Sequence, residues 1–403
     1  MTPRPLEGVR VADFTWIGAG SFTTKLFADM GADVIKIESA ARLDQLREAR
    51  PFKDGVAGVN RSGYFADRNS SKRSVTLNLK KDAARELARE LVKLSDIVAN
   101  NFTPGTMEKF GLGYADVAKF KPDVIYLAMS MNGNSGPEAS YLGFGLTMGA
   151  LTGLQNLCGA ADRQPVGTGT NFPDHVPNPT HAAFATMAAL RHRRRTGEGQ
   201  LIDLAQIEPT VALLGPTVLD FTANGRIAAR SGNEREGASP HGVYPCRGRD
   251  RWIAIAVVGE DEWRAFSSVV TLQEDARFST IEGRLMSRTA LDEAVARATE
   301  KWDALELMHR LQAVNVAAGV VADAADVLIQ DPQLAHRGHW AWLEHREMGR
   351  TVYGALPFRM SKSATSPTRP APLLGEHTEE VCRDILGLTD SKIAALRSEG
   401  ALL

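Results

Sequence analysis

The stretch Gly167-Thr168-Gly169-Thr170-Asn171-Phe172-Pro173-Asp174-His175-Val176-Pro177-Asn178-Pro179-Thr180-His181 brings one carboxylate, two histidines and three prolines to the entry of a helix. Asp174 therefore lies on a turn stiffened by proline and flanked by glycine-rich backbone. Two chemistries suit it there. The carboxylate can cap the helix that follows, or it can act as a nucleophile, because aspartate forms covalent intermediates with activated acyl and phosphoryl groups. The histidines do not complete a Ser-His-Asp or zinc site, since no G-x-S-x-G elbow and no H-E-x-x-H accompanies them. No metal ligand set is expected.

Three further stretches suit an anionic, nucleotide-like ligand. Gly18-Ala19-Gly20 lies between a strand and a helix with Glu38 closing the next strand, which has the shape of a dinucleotide fingerprint. The third glycine is missing, because Thr23 stands there, and NAD is disfavoured. Backbone N–H groups at that helix start can still receive a phosphate or ribose, or the turn is simply structural. Asn69-Ser70-Ser71-Lys72-Arg73 precedes a strand, and Asn101-Phe102-Thr103-Pro104-Gly105 ends one, with Lys109 a turn further on. Lysine and arginine would pair with phosphates, and Phe102 could stack on a base. Loop-end charges without a ligand remain the other reading.

Alternating strands and helices must position these groups. Val9–Phe14 reads as a strand, Ser21 as the cap of a helix over Phe22–Met30, Gly31 as its stop, and Ala32–Glu38 as a second strand. The pattern continues with strands at Ser74–Leu79, Asp96–Asn101 and Val124–Met129, and helices at Asp82–Lys93 and Thr106–Phe110. This is a doubly wound α/β domain with a parallel sheet. A long helix over Pro179–Arg195 ends in Arg191-His192-Arg193-Arg194-Arg195 and Gly197, as suits a helix C-terminus. Leu201–Leu204 and a helix over Ile207–Leu219 follow. Gly225–Gly242 reads as a linker, a strand at Trp252–Val257 opens a second unit, and helices follow near Glu260–Val270 and Trp302–Val314. The Pro-containing run Ser366–Pro372 leads to a helix over Thr378–Leu386. The expected organisation is a large domain over 1–223, a small domain over 224–330 and a C-terminal segment over 331–403.

Composition narrows the functional class. Of 403 residues, 47 are Lys or Arg and 48 are Asp or Glu, so the net charge is −1. A nucleic-acid binder would carry a basic excess. Cys158, Cys246 and Cys382 are far apart, which supports neither a disulfide framework nor a zinc site and suits a reducing cytoplasm. Met1-Thr2-Pro3-Arg4-Pro5 lacks an apolar h-region, so no signal peptide is expected. The uncharged run from Ala139 to Ala161 is interrupted by glycines, Gln155 and Asn156 and is not expected to span a membrane.

Taken in order, several blocks resemble the family III CoA-transferases, the group of formyl-CoA transferase, carnitine CoA-transferase and bile-acid-inducible protein F. They are Gly18-Ala19-Gly20 through Glu38, Ser71–Lys80, Asn101–Met107, Gly136-Pro137, Arg195–Gln200, Gly232-Asn233 and Pro372–Thr378. The resemblance implies a Rossmann-like large domain, a smaller α+β domain and two chains interlocked as a homodimer, with heteromers also known. It implies acyl-CoA and carboxylic acid substrates, no permanently bound cofactor, and Asp174 as nucleophile. CoA would be held by Ile17, Gly18, Ala19, Arg42, Lys72, Arg73, Asn101, Phe102 and Lys109, while backbone at Gly169, Gly232 and Asn233 would hold oxyanions. The donor implied is an acyl-CoA such as succinyl-CoA. Racemase relatives carry a His-Asp pair where this chain has Gly145 and Leu146, which removes the base that proton abstraction needs; formyl-CoA transferases carry Tyr-Glu there. The Asp174–His181 block is most similar to the benzylsuccinate CoA-transferases. The rivals are an α-methylacyl-CoA epimerase using His175 or His181, and a non-catalytic CoA-binding subunit. Trp16, Phe144 and Met148 are expected near the acyl group.

Overall fold

Among residues 4–403, which this computed structural model describes, six parallel strands form the main sheet. They are β1 (Arg10–Asp13), β2 (Asp33–Glu38), β3 (Arg73–Thr76), β4 (Ile97–Asn100), β5 (Ile125–Ala128) and β6 (Gln200–Asp203), in the order β3-β2-β1-β4-β5-β6. The opening Met1-Thr2-Pro3 lies outside the described residues. Alternation along each strand divides the core between the two faces. Val11, Val34, Ile97 and Ile125 are buried on one side with α1 (Ile17–Asp29) and the later helix Pro177–Thr196. Ala12, Ile35, Val98 and Tyr126 are buried on the other, against the Ala84, Leu87, Ala88 and Leu91 stripe of the helix Asp82–Lys93 and against Ile393 and Leu396 of the last helix, Asp390–Ser398. The α/β architecture with a parallel sheet is as the sequence pattern indicates.

Two local expectations need correction. α1 begins at Ile17, directly after β1, so Ser21 is buried within the helix rather than capping it. Side chains from elsewhere serve its N-terminus instead: Trp16 N–H donates to Asn101 Oδ1 at 2.8 Å and Ile17 N–H to Asp44 Oδ1 at 3.1 Å. The glycines there serve close approach rather than a flexible turn, since a Cβ on Gly20 would lie 2.6 Å from Thr15 Cβ and 2.8 Å from Asn101 Cγ. The helix expected over Ile207–Leu219 is broken into Ile207–Ala212 and Gly215–Asn224. Pro216, in the first turn of the second piece, cannot continue a helix from the preceding turn. The uncharged run after Ala139 contains the short helix Gly145–Leu151 and a turn at Gln155–Leu157. Among the described residues no helix is long and apolar enough to cross a membrane.

The chain forms two compact units. One comprises residues up to Gln155 with Gly167–Ile227 and Gln333–Leu403; the other comprises Asn156–Val166 and Ala228–Pro332. Within the first, the C-terminal stretch is stitched to β3: His377 N–H donates to Ser74 O at 2.9 Å and Thr76 Oγ1 to Leu402 O at 3.0 Å. The second is built on an antiparallel sheet of His241–Pro245, Trp252–Ala256 and Ala317–Val320. Ile253 and Ile255 of that sheet share a core with Trp263, Phe266, Leu307 and Leu311 from its helices.

Candidate active site

In an open α/β sheet the loops leaving adjacent strands in opposite directions open a crevice at the carboxyl edge, and here that switch point lies between β1 and β4. Asn101, directly after β4, joins the two loops. Its Oδ1 accepts from Trp16 N–H, and its Nδ2 donates to Trp16 O at 2.8 Å. The Phe102 ring meets Trp16 edge-on with centroids 5.5 Å apart, and the Arg42 guanidinium, from the loop after β2, lies 5.2 Å from the Trp16 centroid. An aromatic surface with a cation beside it thus stands at the crevice.

Asp174 lies in the one-turn helix α2 (Phe172–His175), just before α3 (Pro177–Thr196), rather than at a helix-start cap. Its carboxylate sits between two glycines. A Cβ on Gly18 would approach Asp174 Cβ to 3.0 Å, and one on Gly145 would approach Oδ2 to 2.9 Å. The Gly145 backbone donates a hydrogen bond to it. Asp174 is 4% exposed, and burial pushes its carboxyl up to about 6, against the opposing pull of the Gly145 hydrogen bond and the Arg68 charge. At neutral pH it is still mostly ionised but poorly solvated, the condition of a reactive carboxylate. Beside it a cavity of about 260 Å³ is lined by Gly145, Leu146, Leu154, Thr168, Asn171 and Pro173, among others.

The neighbouring His175 is held at both nitrogens. Nε2 lies 2.9 Å from Tyr64 Oη, and Nδ1 lies 3.1 Å from Thr170 Oγ1. Burial, reinforced by the Arg68 charge, lowers its pKa to about 4, so the ring is neutral. Tyr64 and Arg68 are both on the short helix Gly63–Arg68, a segment whose sequence carries no signal that marks a site. Their place beside Asp174 is set by tertiary packing, with Arg68 lying 4.4 Å from the Phe22 ring centroid on α1.

The sequence-derived site residues separate into groups. Arg42, Asn101 and Phe102 meet Trp16 at the crevice, Ile17 and Gly18 form the first turn of α1 beside it, Ala19 is buried in the core under that helix, and Lys109 is exposed on a short turn beyond Phe102. Gly169, with φ +76, lines the cavity beside Asp174. Gly232 and Asn233 belong to the second unit, where Gly232 N–H donates to Gly159 O at 2.8 Å. Met148 is buried, with Asn178 Nδ2 3.8 Å from its sulfur.

Lys72 and Arg73 do not fit the phosphate role expected of them. The Lys72 ammonium is fully buried and donates to Asp13 Oδ2, Ser21 O, Thr24 Oγ1 and Asn69 Oδ1 at 2.7–3.1 Å. Burial lowers its pKa to about 8, even with Asp13 alongside. Arg73 opens β3 at its amino end, opposite to the edge where ligands bind, and is paired with Asp33 and Glu380. Exposed cations on the carboxyl-end loops include Arg42, Arg50 and Lys53 after β2, Lys80 and Lys81 after β3, and Lys109 after β4.

With this geometry in view, comparison with known proteins is decisive. The sequence model of CoA-transferase family III matches residues 6–378. The chain belongs to CoA-transferase family III. It is 34% identical over 98% of its length to a Mycobacterium tuberculosis protein named "Probable CoA-transferase Rv1866", although it spans only 50% of that longer relative. It is 30% identical to the succinyl-CoA–D-citramalate CoA-transferase of Chloroflexus aurantiacus, with 98% of each chain covered. Its fold is similar to the crystal structure of a CaiB/BaiF family protein from Brucella suis, with a TM-score of 0.86, 29% identity, and coverage of 95% of this chain and 99% of that one. As a CoA-transferase, the chain is an enzyme that moves CoA from an acyl-CoA to an acid.

Proposed function

We propose that this CoA-transferase works through covalent intermediates on Asp174, with succinyl-CoA as donor and a small organic acid as acceptor. The observation that carries the reading is the Asp174 carboxylate itself, buried between Gly18 and Gly145 beside the cavity. A carboxylate oxygen of Asp174 attacks the thioester carbonyl of the donor; the C–S bond breaks, and a mixed anhydride and CoA thiolate result. The thiolate then attacks the aspartyl carbonyl, expelling the donor acid as its carboxylate and leaving an aspartyl-CoA thioester. The acceptor carboxylate attacks that thioester, forming a second mixed anhydride, between Asp174 and the acceptor, and releasing the thiolate again. Attack of the thiolate on the acceptor carbonyl forms the new acyl-CoA and restores Asp174. No proton changes hands, which agrees with a neutral His175 whose two nitrogens are occupied. His181 Nδ1–H donates to Pro177 O at 2.7 Å within its own helix, and the residue is exposed rather than enclosed beside Asp174.

The nucleotide end of CoA is assigned to the crevice, where Phe102 and Trp16 offer a stacking surface and Arg42, Lys80, Lys81 and Lys109 offer phosphate partners. The donor assignment draws on the Chloroflexus relative, named for succinyl-CoA. The active assembly is proposed to be an interlocked homodimer. Strongly exposed apolar side chains such as Leu142, Phe184 and Ile227, at 77–79% exposure, support self-association. Light scattering would report the assembly mass, and activity of the single purified chain would separate a homodimer from a heteromer.

Substitution of Asp174 by Asn or Ala tests the chemistry. Transfer is expected to fall by at least about a thousandfold, as for removal of other catalytic nucleophiles. Hydroxylamine should label only the peptide holding Asp174, and only after acyl-CoA is added. Residual transfer above a thousandth of the normal rate, or labelling elsewhere, overturns the covalent route.

A further inference from the structure

Between β1 and the wall of the Asp174 pocket, the chain passes through a strained residue. Ile17 has φ +58, in the left-handed region where a β-branched side chain is a steric outlier. Such a residue persists only where its surroundings over-determine it. Its side chain packs against the cluster of Leu46, Phe65 and Tyr353. Trp16, before it, is clamped at both N–H and C=O by Asn101.

A buried ion pair completes the grip. Asp44 Oδ1 accepts from the Ile17 N–H at 3.1 Å and from the Leu46 N–H at 3.0 Å. Asp44 Oδ2 lies 3.0 Å from the Lys36 ammonium, which also donates to Thr15 O at 2.6 Å. Both side chains are fully buried. The pair thus takes hold of the chain on either side of Trp16, with Lys36 on the carbonyl of Thr15 and Asp44 on the amide of Ile17. Two charges withdrawn from water are a poor device for stability, because desolvation offsets most of their attraction. Their geometric effect reaches further. The residue after Ile17 is Gly18, whose added Cβ would stand 3.0 Å from Asp174 Cβ, so the backbone turn at Ile17 decides where the wall behind the nucleophile lies.

We infer that Asp44, braced by Lys36, is a positioning residue for the transfer reaction: its carboxylate holds Ile17 in the left-handed conformation and so seats the first turn of α1 against Asp174. Asp44 acts in this way only if Asp174 is the nucleophile proposed above. Loss of the Asp44 carboxylate frees Ile17 to return to negative φ, carrying Gly18 toward or away from the carboxyl group.

The test is a double-substitution cycle on the full-length protein, read as kcat for transfer at saturating donor and acceptor, with thermal melting in parallel. Asp44→Ala is expected to lower kcat by roughly 10- to 100-fold, the penalty for ångström-scale misplacement of a reacting group, with a smaller change in KM for the CoA thioester. In an Ile17→Gly background the same Asp44→Ala change is expected to cost less than about fivefold, because glycine adopts positive φ without strain. Equal losses in both backgrounds, or a lower melting temperature with unchanged kcat per folded molecule, would overturn the inference. Should Asp44→Ala not fold, Asp44→Asn retains an oxygen for the Ile17 N–H and leaves the Lys36 ammonium on Thr15 O with the Asp13 and Glu38 carboxylates still facing it. There kcat within about fivefold of normal supports the inference, and a hundredfold loss at unchanged melting overturns it. Hydroxylamine trapping on Asp174 in the unsubstituted protein judges the covalent reading separately, since coupling between positions 17 and 44 is read from kcat alone.

Discussion

Gly18→Ala is the smallest change that bears directly on the nucleophile. The added methyl carbon would lie 3.0 Å from Asp174 Cβ, 3.3 Å from Cγ and 3.2 Å from Oδ2. Carbon atoms at optimal contact are about 3.5–4.0 Å apart, so the carboxylate must retreat by about 0.5 Å, towards Gly145. Misplacing a reacting group by about 1 Å costs on the order of a hundredfold, and half of that on a logarithmic scale is about tenfold, or about 1.4 kcal/mol. Stability should change far less than an overpacked core usually implies. Alanine gains about 1 kcal/mol over glycine inside a helix, against about 1–3 kcal/mol for inserting a methyl group into packed surroundings. Stopped-flow release of CoA thiol under single-turnover conditions measures the acylation step, and differential scanning calorimetry measures the fold. The expected result is acylation slowed about tenfold with melting lowered by no more than about 5 °C. Acylation within twofold of normal would refute the claim that Gly18 walls the carboxylate.

Because burial raises Asp174 to about 6 and the ionised form is the nucleophile, acylation should be flat above pH 7 and fall about tenfold per unit below pH 6. An inflection near 4, the usual carboxylate value, would contradict the desolvated site. Lys72→Met should cost about 3–5 kcal/mol of folding stability in a denaturant titration, since it leaves Asp13 buried without its partner. If stability instead held while KM for the CoA thioester rose, Lys72 would be a phosphate ligand after all. Phe102→Ala should raise KM for the CoA thioester about tenfold, from loss of a stacking contact of about 1–3 kcal/mol, with little change in kcat. A kcat effect as large as the KM effect would remove Phe102 from the nucleotide end.

Much of the frame was legible because its signals are local. The strand alternation of β1 and β2, the apolar stripe over Asp82–Lys93 and the arginine-rich end before Gly197 each lie within one turn or one strand of the residues that cause them. The hairpin of Trp340–His345 and Gly349–Gly354 was not legible, because its charged turn masks the alternation of its two strands. At the site, Asp174 stood out through its proline and glycine neighbours, and Asn101 and Phe102 through their place at a strand end.

The roles that depend on who faces whom were hidden. Lys72 and Lys109 are alike as residues in a sequence, yet one is enclosed by Asp13, Thr24 and Asn69 and the other is exposed. Tyr64 and Arg68 reach the site by packing across α1. The sequence by itself determined the parallel α/β sheet and put Asp174, Asn101 and Phe102 forward as candidates, since periodicity and turn chemistry are properties of neighbouring residues. Only the tertiary structure decided which cations are buried, what raises the Asp174 pKa and what holds Ile17 left-handed, because desolvation and steric constraint arise from groups far apart in the chain.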